Sequence, residues 1–102
     1  MTIPNITIWN LRNGQCPSGF VLVDRSTPYG NPFIMQEEAE RDYVCNVFED
    51  YANELLKLEP HWLDPLLDVH GLACWCFPKR CHAETLRRLI YQLQETMKQK
   101  VI

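Results

Sequence analysis

A six-residue apolar run, Gly71-Leu72-Ala73-Cys74-Trp75-Cys76, lies between two long stretches of helical periodicity. Before it, Val44, Val47, Phe48, Tyr51, Ala52 and Leu55 recur at three- and four-residue spacing. After it, Leu86, Leu89, Ile90, Leu93 and Met97 do the same. That spacing marks amphipathic helices with one buried stripe. A short continuous apolar run between them reads as a buried strand. Helices before and after such a strand favour an α/β domain with a partly parallel sheet.

Two earlier runs supply the other strands. ITIWNL, Ile6 to Leu11, is rich in β-branched and large apolar residues. FVLVDR, Phe20 to Arg25, is continuously apolar at its start, which predicts burial on both faces. Asn13-Gly14 and Pro17-Ser18-Gly19 carry turn chemistry between them. The long helix follows Gln36, with Glu37, Glu38 and Glu40 in early turns where the helix dipole favours acid. It ends at Leu58-Glu59-Pro60, and HWLDPLLD reads as a short helical turn. Phe77 to Arg80 is a tight connection, and the last helix starts near Cys81 or His82. The expectation is one α/β domain over residues 1–102, in two or three layers. It has a short, mostly parallel sheet of about three strands and two main helices.

The net charge of −3 argues against non-specific nucleic-acid binding, which needs many Lys and Arg contacts to phosphates. Arg87, Arg88, Lys98 and Lys100 stand late in a helix, where positive charge suits the dipole. No apolar run approaches the ~20 residues of a membrane span. The opening MTIPNITIWN lacks the basic start and apolar core of a signal peptide. Five cysteines are an odd number, unevenly clustered. Reduced thiols in a cytoplasm are therefore expected rather than a disulfide framework.

Ligands of open α/β sheets bind beyond the carboxyl ends of the strands. If the three strands are parallel, three groups converge there. The first is Asn10-Leu11-Arg12. The second is Asp24-Arg25-Ser26 with the loop through Pro28, Gly30, Asn31 and Pro32. The third is Cys74 to Cys76 leading to Cys81-His82. A hairpin between the first two strands would scatter them. Cys74 and Cys76, two apart on a strand, face one side, and Trp75 faces the other. Cys74 reads as packing, and Cys76 as a residue at the loop border. Cys81 and His82 stand at a helix start, where unpaired amides and the dipole lower a thiol pKa. Lys79 and Arg80 push the same way. On that reading Cys81 is the candidate nucleophile and His82 its general acid or base, against an ordinary capping role for both.

Cys₃His is a known zinc set, but the C-x-C-x4-C-H spacing fits knuckle geometry poorly. No metal ligands are assigned, although a zinc-stabilised module stays an alternative, and Cys16 and His70 are not singled out. In RSTPYGNPF, Gly30 permits close backbone approach, and Asn31-Pro32 fits a tight turn. Amides exposed in such a loop bind anions. Arg12 and Arg25 offer fork-shaped donors for carboxylate or phosphate. A rigid structural turn with Arg25 in a salt bridge is the plainer alternative. Trp9, Trp62 and Trp75, scattered over separate elements, read as core.

These motifs resemble the family known as domain of unknown function 4326, seen in bacteria and their phages. The resemblance rests on Asn10 and Arg12, on RSTPYGNPF and on LACWCFPKRCH, and spans almost the whole chain. Tyr29 stands where the family frequently has tryptophan. The resemblance implies a bacterial or phage protein of the (host) cytoplasm, with Arg25, Gly30, Asn31, Cys74, Cys76, Cys81 and His82 at signature positions. It implies no activity, substrate or cofactor. The combined expectation is a pocket for an anionic, nucleotide-like ligand, with Arg12, Arg25, Ser26, Gly30, Asn31 and Cys76 as binding residues. The alternative is an interaction factor that binds a host protein without catalysis.

Overall fold

The structure, a computed structural model, describes residues 6–76 and 79–100, apart from the side chains of 97–100. The connection at Phe77-Pro78, the side chain of Met97 and the first five residues of the opening lie outside what is described. Three strands form one sheet: β1 (Thr7–Asn10), β2 (Phe20–Leu22) and β3 (Gly71–Cys74). Their order is β1-β3-β2, and both outer strands run parallel to β3. Asn10 is level with Cys74, and Leu22 with Ala73, so all three carboxyl ends share one edge of the sheet. The expected convergence therefore holds, and the hairpin arrangement does not occur.

β3 is buried at every residue because it is the central strand. β2 differs from its expectation. It is shorter than Phe20 to Arg25, and its residues are half-buried, because it is an edge strand. Val23 continues the pairing with one N–H to the Ala73 carbonyl, at 3.0 Å, and is itself fully buried.

The long helix, α1 (Arg41–Leu58), is entered through a 3-10 turn at Glu38–Glu40. The Glu40 carboxylate accepts the N–H groups of Gln36 and Glu37, which fixes the entry angle. HWLDPLLD folds as a short helical turn at Asp64–Leu66. The last helix, α2 (His82–Lys100), packs against α1 and β3. One core joins Ile6, Ile8, Val23 and Leu72 to Phe48 and Ala52 of α1 and Leu86, Leu89 and Ile90 of α2. Among the described residues no helix is long and apolar enough to cross a membrane.

Candidate functional site

Beyond the ends of β2 and β3 lies a cavity of about 430 Å³. Both sequence motifs line it: Asp24, Arg25, Ser26, Asn31 and Phe33 from one, Trp75, Cys76, Arg80, Cys81 and His82 from the other. The start of α1 closes it with Arg41, Val44 and Cys45. The volume falls within the range of small-molecule sites.

The first loop is held from within. Arg25 Nε donates to the Asn31 carbonyl at 3.0 Å, and its Nη2 to the Phe33 carbonyl at 3.2 Å. Arg25 thus braces its own loop through carbonyls rather than through a salt bridge. Asn31 is buried and accepts the Phe33 N–H on its side-chain oxygen at 2.9 Å. Gly30 is needed for close approach: a Cβ there would sit 2.6 Å from the Arg25 Cα. Gly30 is outside the lining and acts by letting the loop fold back on Asp24 and Arg25. Ser26 gives both its N–H and its hydroxyl to the Asp24 carboxylate. Arg12 is exposed in a 3-10 turn after β1 and does not line the cavity. The reason is strand order: β3 separates the end of β1 from that of β2.

The second loop gives its cysteines surroundings different from those their sequence positions suggest. Cys81 caps α2: its Sγ accepts the Ala83 N–H at 3.5 Å, and its carbonyl accepts the Glu84 N–H. Only 3% of Cys81 is exposed, and its Sγ lies 3.2 Å from the Cys74 Sγ. Hydrogen bonding to Cys74, then to Cys76, and then burial all push its pKa far up. The helix start cannot offset neighbouring sulfurs and burial together, so Cys81 rests as a protonated thiol rather than as the thiolate its position suggests. Lys79 and Arg80 do not push on it either. Lys79 pairs with Glu38 at 3.1 Å, and Arg80 with Asp42 at 3.1 Å and Asn46 at 2.7 Å.

Cys76 is the thiol whose surroundings favour the thiolate. The Cys81 thiol stabilises its thiolate most, burial opposes, and the Arg41 guanidinium adds a hydrogen bond and its charge. The balance lowers Cys76 to about 5. Arg41 is fixed for this by a fork to Glu38, at 2.6 and 2.7 Å, and by the Arg80 carbonyl at 2.9 Å. Burial raises the Cys45 pKa, which keeps that thiol neutral.

His82 contacts the Val23 carbonyl through Nε2. A carbonyl only accepts, so Nε2 carries the proton, and neutral Nδ1 presents a lone pair. Nδ1 lies 3.6 Å from the Cys81 Sγ. Burial, ahead of the opposing Val23 hydrogen bond, lowers the His82 pKa and keeps the ring neutral. Phe48 packs edge-on against it.

Trp75 corrects the sequence reading. It is 50% exposed on the cavity wall rather than in the core, because Cys74 and Cys76 take the inward direction. Arg41 and Cys45 carry no site signal in the sequence, where Asp24 figures only as part of the second strand's end. The run of glutamates before Arg41 reads as a wet helix start and hides its inward aim. Cys16 bonds carbonyls at the entry to β2, and His70 precedes β3, so both sit at the amino ends of the strands. Among the described residues, no three or more Cys, His, Asp or Glu side chains are arranged to hold one metal ion.

Neither a curated protein nor a solved structure matches the chain. A family model does match, over residues 9–92, which takes in the end of β1, both motif loops and more than half of α2. The chain that builds this cavity is therefore a member of the family described as domain of unknown function (DUF4326).

Proposed function

We propose that the protein binds a small anionic, nucleotide-like ligand in the cavity between its two motif loops. One observation carries this reading. Three guanidinium groups, Arg25, Arg41 and Arg80, line a cavity whose only carboxylate among the described residues is Asp24. Phosphate suits such a wall because planar guanidinium forks bind it directionally. Trp75 supports the nucleotide-like part, since a half-exposed indole on the wall offers a face to a planar ring.

The three arginines already serve protein acceptors, but not with every N–H. A ligand phosphate would add to those bonds rather than replace them. The test is calorimetric titration with a nucleoside monophosphate, its nucleoside and inorganic phosphate. Binding is expected for the monophosphate, about tenfold or more weakened by Arg41→Gln and by Trp75→Ala. Equal affinity for the nucleoside and its monophosphate would overturn the anionic reading. Binding of phosphate alone, unaffected by Trp75→Ala, would overturn the nucleotide-like one.

A further inference from the structure

The second motif also places three sulfurs together, two of them, Cys76 and Cys81, on the cavity wall. Cys74 and Cys76 project from the end of β3 toward Cys81 at the cap of α2. The Cys81 thiol donates to Cys74, Sγ to Sγ 3.2 Å, and Cys76 is close enough for Cys81 to stabilise its thiolate. Cys76 is half-buried and faces the cavity; Cys81 is buried behind it. The lone pair of His82 Nδ1 points at Cys81, 3.6 Å away. We infer that Cys76 and Cys81 form a thiol–disulfide exchange centre that reduces a small disulfide entering the cavity, with Cys76 attacking and Cys81 resolving.

The inference stands apart from the anionic-ligand reading, because any small disulfide that reaches Cys76 suffices. In the first step the Cys76 thiolate attacks one sulfur of the substrate disulfide. The substrate S–S bond breaks, a mixed disulfide forms on Cys76, and one thiolate leaves with the electron pair. In the second step Cys81 attacks the Cys76 Sγ while its proton passes by way of His82 Nδ1 to the departing substrate sulfur, so no free Cys81 thiolate forms. The mixed disulfide breaks, and the second substrate sulfur leaves as a thiol. One protein thiolate and one protein thiol are oxidised to a disulfide, and the substrate disulfide is reduced to a thiolate and a thiol. Arg41, beside Cys76, keeps the attacking sulfur anionic. The division into an accessible attacking thiol and a buried resolving thiol is what such exchange requires.

The experiment uses 2,2′-dithiodipyridine, a neutral disulfide, so a failed anion site does not affect the outcome. It is run at pH 6 on the reduced full chain carrying Cys16→Ser, since Cys16 is a partly exposed thiol away from the cavity. Two thiopyridones per chain are expected, with peptide mapping showing a Cys76–Cys81 disulfide and no adduct. Cys81→Ser is expected to release one thiopyridone and retain the adduct on Cys76. Cys76→Ser is expected to slow release about tenfold or more. A persistent adduct on the Cys16→Ser chain would overturn the inference without recourse to any variant that misfolds. So would a Cys74–Cys81 linkage, or an unchanged rate in Cys76→Ser.

Discussion

Trp75 Nε1 donates to the Asp24 carboxylate at 3.2 Å, joining the two motif loops across 51 positions of sequence. The same carboxylate takes the N–H and hydroxyl of Ser26. Burial pushes the Asp24 pKa up, but the bonds from Ser26 and Trp75 outweigh it and hold the group below 3.8. Its contribution is therefore present above the unfolded pKa and lost as pH falls through the folded one. Asp24→Ala is expected to lower unfolding free energy by about 1 kcal/mol at pH 7. Urea denaturation checks it, and the difference from the parent should shrink as pH falls through the lowered Asp24 pKa.

Gly30 sets the other side of that loop. A Cβ at this position collides with backbone atoms of Asp24 and Arg25, which cannot rotate away. Gly30→Ala is expected to cost about 2 kcal/mol, within the range for overpacking. For a domain of this size that is a melting-temperature loss of about 8–16 °C. A loss confined to one or two degrees would show that the loop relaxes freely.

Much of this architecture is legible in residue patterns. β3 announces itself as an apolar run between two helical periodicities, and the turn at Asp64–Leu66 follows from local signals. The chemistry is less legible, because it depends on which element packs over which. Cys81 at a helix start carries the sequence signal of a reactive thiol. Only its three-dimensional neighbours, Cys74 and Cys76, reverse that. Arg41 shows the converse. The cysteine near it in sequence, Cys45, is kept neutral by burial, and the thiol it activates, Cys76, reaches it from the far side of the fold. Trp75 is hidden for a third reason. Its neighbours are apolar, so pattern places it inside, whereas the strand ends one residue earlier and turns it out.

Arg41 offers a direct test of how Cys76 is activated. Its guanidinium stabilises the thiolate by hydrogen bond and by charge. Alkylation by iodoacetamide forms an S–C bond and expels iodide, so its rate follows the thiolate fraction. With Cys16→Ser as background, Arg41→Gln is expected to slow Cys76 alkylation at pH 6 about twofold, because a thiol raised by about one pKa unit from about 5 is half protonated there. Arg41→Lys should restore part of the rate, since charge survives but the fork is lost. An unchanged rate in Arg41→Gln would leave the Cys81 thiol as the sole activator.

The same groups give stability a bell-shaped pH dependence. Cys76 is lowered from 9.0 to about 5, so between those values the unfolded chain binds a proton that the folded chain does not. Stability from this thiolate is complete above the unfolded value and is lost as pH falls through about 5. His82 acts in the same direction: burial, offset in part by Val23, holds it neutral, and protonation below 6.5 favours the unfolded chain. Facing these groups are Arg41 and Cys45 from α1, Arg25 and Asp24 from the first loop, and Cys81. Cys81 has the opposite sign. Its folded pKa is raised, so its contribution is present below the unfolded value of 9.0 and is lost as pH rises beyond it. Cys45 adds to that alkaline loss. The melting temperature is therefore expected to climb from pH 5 to 7, by about 4–8 °C for each kcal/mol gained, and to decline above pH 9. Cys76→Ser should flatten the acid limb, and Cys81→Ser the alkaline one. A profile whose acid limb survives Cys76→Ser and His82→Gln together would show that neither group carries it.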